Sequence, residues 1–184
     1  MIMREREKFT PPVNTLEIEA DSPEDLDKLS KILSEKGMDQ EAIEQLIFLL
    51  QNISTQDFTN RCTDASKSFV HSAFEQFGGE ESLAEIVPRL NGKEAQSQQH
   101  LNKTNYRGGH HSVGILEMPK LAIAVDPTCG TIRRANSKEN AILIMISQTG
   151  TNQILVELEK YYGGSWHIAM RYIPEEGNFR STVK

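Results

Sequence analysis

A thiol, an imidazole, a carboxylate and an amide can together carry nucleophilic acyl chemistry, and the chain offers them at Cys62, His111, Asp126 and Gln56. Cys62 opens a helical pattern. There the unpaired N–H groups and the positive end of the helix dipole lower a thiol's pKa and favour the thiolate. His111 opens the apolar alternation HSVGIL, at the edge of a predicted strand. Its neighbour His110 would face the other side of an extended segment, so His111 is the preferred base and His110 an accessory. Asp126 closes the apolar run IAVD, where a carboxylate is costly to bury without a partner. A hydrogen bond from His111 would supply that partner, set the imidazole tautomer and stabilise the imidazolium. Gln56, in a polar stretch before Cys62, could join the Cys62 N–H as a donor to a developing oxyanion. Each residue also has a plainer alternative: a buried apolar cysteine, a loop-capping histidine, an Asp-Pro turn initiator, a solvated glutamine. The combination is what points to chemistry.

The elements that must position these residues are legible in outline. Tyr106–Thr131 reads as two apolar strands broken at Pro119-Lys120, and Gly108-Gly109 lets the backbone come close to a nucleophile or substrate. Upstream, Ala65, Phe69, Ala73 and Phe77 recur at helical spacing, with Val70 and Phe74 beside them, and Gly78-Gly79 ends that helix. Ser22, Pro23 and Asp25 start an earlier helix, Gly37 stops it, and Asp39 caps the next. The segment TLEIEA fits an edge strand, Glu80–Leu90 a short helix ending near Pro88, Ala141–Ile146 a buried strand, Gln153–Tyr162 a helix and Trp166–Ile173 a strand. Helices first and an antiparallel sheet later make an α+β fold. The expected organisation is a single domain over 1–184, with a lead-in at 1–14, a helical hairpin at 21–51, a catalytic-type core at 56–173 and a tail at 174–184. The Asn- and Gln-rich stretch Asn91–Asn105 reads as a long loop.

Composition narrows the partners. With 20 Lys+Arg against 26 Asp+Glu, the net charge of -6 and the lack of a basic cluster exclude a generic phosphate-backbone binder, so nucleic acid is not expected. No apolar stretch is long enough to span a bilayer, and MIMREREKF lacks a signal-peptide core. The expectation is a protein with no membrane association, cytoplasmic or exported without a cleaved signal. Two cysteines, Cys62 and Cys129, make neither a metal-ligand pattern nor a disulfide framework. Cys129 is an accessory candidate, since a bridge to Cys62 would gate the thiol. Trp166 either covers the His111–Asp126 contact or fills the core. No cofactor or metal is expected; adjacent His110 and His111 cannot both face one ion from a regular strand.

The motifs resemble the papain-like and transglutaminase-like cysteine enzymes. His111-Ser112-Val113-Gly114 resembles the His-Ala-Val strand start of papain-like proteases, and Asp126-Pro127-Thr128 the Asp-Pro-Thr of transglutaminase-like domains. Gln56 precedes Cys62 at a spacing like that of the papain-like oxyanion glutamine. The chain departs from the pattern in lacking the Cys-Gly-Ser/Ala-Cys-Trp surround: Cys62 is followed by Thr63-Asp64, and no Trp stands beside it. The resemblance implies a nucleophile-bearing central helix on a mostly antiparallel sheet, and a Cys62–His111–Asp126 triad acting on amide bonds of a protein or peptide. Glutamine deamidases and related bacterial effector toxins are similar in layout. The same triad would serve a thiol protease or a transglutaminase. A non-enzymatic interaction module explains the helical hairpin and polar loops equally well.

Overall fold

The computed structural model describes residues 13–54, 62–86, 111–132 and 140–182. The frame is one sheet. Strands β1 (Asn14–Ile18), β2 (Glu80–Ile86), β3 (Ser112–Glu117), β4 (Ala122–Asp126), β5 (Ile142–Ser147), β6 (Trp166–Ile173) and β7 (Asn178–Ser181) lie in the order β1-β5-β4-β3-β2-β6-β7. Every neighbouring pair is antiparallel. Helices α1 (Pro23–Glu35), α2 (Gln40–Ser54) and α3 (Cys62–Phe77) are followed by a short turn of helix, α4 (Cys129–Ile132), and by α5 (Thr151–Tyr162). This is an α+β fold with helices packed on an antiparallel sheet. Among the described residues no helix is long and apolar enough to cross a membrane.

The central strands β3, β4 and β5 are buried on both faces, which is why SVGIL, AIAV and ILIMI are nearly unbroken apolar runs. One face meets the first three helices: Leu29, Leu33, Leu46, Phe69 and Val70 pack with Leu116, Ile123 and Ile144. The other meets α5: Ile154, Leu158 and Tyr162 pack with Val113, Ile115, Ala124 and Met145. The helix starts follow their caps, with the Asp25 N–H donating to Ser22 Oγ at 3.3 Å and the Ala42 N–H to Asp39 Oδ1 at 2.8 Å.

Two segments differ from the expectation. Glu80–Ile86 is not a helix but a strand inserted between β3 and β6. Its helix-compatible composition yields to the two ladders it completes and to the burial of Leu83 and Ala84. The expected tail at 174–184 instead contains β7, which turns back at Pro174–Gly177 and pairs with Met170–Ile173. Its exposed polar side chains suit an edge strand, whose outer side faces water. Gln56, His110, the Gly108-Gly109 pair and the Asn91–Asn105 stretch lie outside the described residues.

Candidate active site

The hairpin of β3 and β4 builds the site. Antiparallel pairing from Gly114↔Val125 to Glu117↔Ala122 brings the start of β3 beside the end of β4. His111 and Asp126 meet there, with Nε2 to Oδ2 at 2.6 Å and both side chains buried. The Asp126 carboxylate is filled on both oxygens. Oδ2 also accepts from the Tyr162 hydroxyl, while Oδ1 accepts from the Thr128 N–H at 3.0 Å and the Thr128 hydroxyl at 2.9 Å. Asp-Pro-Thr is therefore both a turn and the clamp on one carboxylate oxygen.

Burial alone would raise the Asp126 carboxyl. The charge and hydrogen bond of His111, with the hydrogen bonds from Tyr162 and Thr128, outweigh it and hold the group below the usual carboxylate range. Asp126 thus stays anionic and fixes the His111 tautomer, with Nε2–H donating to it. That leaves Nδ1, also buried, as the nitrogen on the far side of the ring. Aromatic rings hold the imidazole: Tyr162 lies edge-on at 5.1 Å between centroids and Trp166 at 5.9 Å. Trp166 is thus both core and wall. It is aimed by Gly163 and Gly164, whose φ of 79° and 73° turn the chain from α5 into β6, and its Nε1–H donates to Gly163 O at 3.0 Å.

Helix α3 starts at Cys62, and its first turn is fastened beside His111. The Ser112 hydroxyl donates to Glu85 Oε1 at 3.2 Å, so the Thr63 hydroxyl, 2.9 Å away, donates to Ser112 Oγ. One turn on, the Ser66 hydroxyl donates to the Ser112 carbonyl at 3.0 Å. Gly114 lets the helix come this close, because a Cβ there would stand 2.8 Å from the Ser66 carbonyl and 3.1 Å from Val70 Cβ. The helix terminus is thereby attached to the residue that follows His111.

Cys129 is a different kind of thiol. It is buried in the α5-side core, and burial followed by the charge of Asp126 pushes it up to about 12. It lies 3.1 Å from the Tyr161 hydroxyl. Because Tyr161 gives its own proton to Glu17 on β1, Cys129 is the donor in that contact. A buried thiol raised in this way is mostly protonated at neutral pH and packs as part of the core.

Sequence reasoning reached His111, Asp126 and Trp166 but missed Tyr162, taken only as part of a helix stripe. Its signal was available: a tyrosine on the core stripe of a helix must find an acceptor for its hydroxyl. It missed a second pair too, His71 and Glu81, joined at 2.9 Å. Among the described residues no group of three or more His, Cys, Asp or Glu is arranged to hold a metal ion. None of the family models, curated proteins or solved structures compared with the chain matches it.

Proposed function

We propose that the chain is a cysteine-dependent acyl-transfer enzyme acting on amide bonds, with Cys62 as nucleophile, His111 as base and Asp126 as its orienting carboxylate. The observation that carries this reading is the enclosed His111–Asp126 pair beside the N-terminus of α3. A surface ion pair needs no such burial, four donors and an aromatic wall; an imidazole that must gain and lose a proton in one tautomer does. The order of nucleophile-bearing helix, histidine strand and acidic strand also suits the papain-like and transglutaminase-like arrangement.

In this scheme His111 takes the Cys62 proton and the thiolate adds to the amide carbonyl, with Gln56 and backbone N–H groups as donors to the oxyanion. The carbon–nitrogen bond breaks as the imidazolium gives its proton to the departing ammonia or amine, leaving a thioester. Water, deprotonated by His111, adds to the thioester carbonyl, and the carbon–sulfur bond breaks to release the acid. Glutamine deamidation, or another amide hydrolysis by the Cys62 thiol, on a protein or peptide is the preferred outcome. Proteolysis and transglutamination share the first half and differ in leaving group or acceptor.

The test is a screen of glutamine-containing proteins and peptides that reads ammonia release separately from chain cleavage, with Cys62→Ala and His111→Ala as controls. Ammonia release lost in both variants is expected. Cleavage without ammonia would replace deamidase by protease, and no turnover above the Cys62→Ala background on any substrate would overturn the reading.

A further inference from the structure

Tyr162 reaches the candidate site through Asp126. Its hydroxyl donates to Oδ2, the oxygen that also accepts from His111. Thr128, by contrast, occupies only Oδ1. We propose that Tyr162 is a positioning residue that sets the basicity of His111 by sharing the Asp126 oxygen with it, a role that rests on His111 being the base of the proposed reaction. A carboxylate oxygen that gives part of its charge to a phenol stabilises an imidazolium less. An unshared Asp126 would favour the imidazolium more strongly; sharing weakens that preference and eases the return of the proton, which Brønsted behaviour favours in a base.

The phenol is suited to this task. It is fully buried between Tyr161 at 4.7 Å and Trp166 at 5.5 Å, ring to ring, so its hydroxyl is held on Oδ2 by packing. Burial, and then the charge of Asp126, keep the phenol well above its ordinary pKa, so it acts as a fixed donor and not as a second acid. The other titratable groups around the pair, among the described side chains, are Cys129 on α4, Tyr161 on α5 with its partner Glu17 on β1, and Glu85 on β2 through Ser112. Tyr161 offers an internal control: it is the adjacent tyrosine, and its hydroxyl goes to Glu17 instead of Asp126.

The test reads the His111 imidazole directly, by NMR titration of isotope-labelled full-length protein, with the resonance assigned by its loss in His111→Gln. Tyr162→Phe should raise the His111 midpoint by about 0.5–1 unit. A 3-fluorotyrosine placed at 162, a more acidic and stronger donor, should lower it. Tyr161→Phe should leave it within about 0.2 unit. An unmoved midpoint in Tyr162→Phe, or an equal shift in both Phe variants, overturns the proposal. If Tyr162→Phe does not fold, the fluorinated protein carries the test alone, and no downward shift there is equally contrary. The titration does not depend on turnover. A shift in a protein whose Cys62 behaves as an ordinary thiol would keep the Tyr162 link and remove the enzyme reading; no shift beside an activated Cys62 would do the reverse.

Discussion

His111–Asp126 and His71–Glu81 are both contacts between a histidine and a carboxylate across two elements, at 2.6 Å and 2.9 Å, yet their surroundings drive the two acids in opposite directions. Asp126 is enclosed and has donors on both oxygens, and it titrates below its ordinary value. Glu81 is enclosed too, but among the described residues Oε2 has no hydrogen-bond partner. Burial therefore dominates there, against the hydrogen bond and charge of His71, and raises the Glu81 carboxyl. The histidines differ in parallel. The His111 side chain is walled by Tyr162 and Trp166, whereas that of His71 is 37% exposed, tilts against Tyr172 at 4.9 Å and also approaches Glu75 at 3.4 Å. Proximity of an acid and a base thus does not by itself fix how either group titrates. What separates the two pairs is how completely the carboxylate is satisfied and how fully the imidazole is held.

Substitutions should separate the pairs in the same order. Asp126→Ala would leave His111, Tyr162 and Thr128 facing a vacated centre and should cost about 3–5 kcal/mol of unfolding free energy, read from urea denaturation. A loss under about 1 kcal/mol would put this pair on a par with an exposed one. Tyr162→Phe removes one hydrogen bond to a charged group and should cost about 1.5–3 kcal/mol by the same measurement. Gly114→Ala pushes α3 off β3 at the Ser66 carbonyl and should cost about 1–3 kcal/mol through overpacking. It should also slow modification of Cys62, since it strains the first turn of α3; unchanged stability would mean that the close approach is not needed. Glu81→Gln should change stability by less than about 1 kcal/mol at pH 7, because the charge it removes is one that burial already opposes.

The pH dependence has opposite signs at the two acids. The lowered carboxyl of Asp126 contributes stability above the unfolded carboxyl pKa of about 3.9, and that contribution is lost as pH falls through the folded value. The raised carboxyl of Glu81 binds its proton more tightly when folded, so its ionisation lowers stability as pH rises from an unfolded value of about 4.3 through the folded one. Relative to the native chain, Glu81→Gln should therefore gain stability as pH rises from about 4 to 7, while Asp126→Asn should lose it as pH rises from about 2.5 to 4. Parallel denaturation curves across both windows check the signs, and a common sign would erase the distinction between the pairs.

The difference also shows what a chain discloses. The β3–β4 hairpin was legible because both strands are apolar and a Pro-Lys break sits between them, and a histidine opening one strand must then lie beside an aspartate closing the other. Helix α3 was legible from the spacing of Ala65, Phe69 and Ala73. Tyr162 was not assigned because its contact with Asp126 spans 36 residues and depends on which face of the sheet α5 covers. Glu81 was misplaced for a related reason: EESLAEI favours a helix by itself, and only the ladders on both sides and the His71 partner make it a strand with a buried acid. Asn178–Ser181 carries few apolar residues, so its pairing with β6 left no hydrophobic pattern to read.

The central claim, that His111 held by Asp126 activates Cys62, is tested most directly by the rate of iodoacetamide labelling at Cys62 across pH. The enclosed Cys129, raised to about 12, should stay silent and leave Cys62 as the thiol observed. The account predicts fast labelling below pH 7, slowed at least about tenfold in His111→Ala and less in Asp126→Asn, as a thiolate fraction set by an adjacent imidazolium requires. Labelling that rises only near pH 8.5, the ordinary range of a free thiol, and that is indifferent to both substitutions would contradict it.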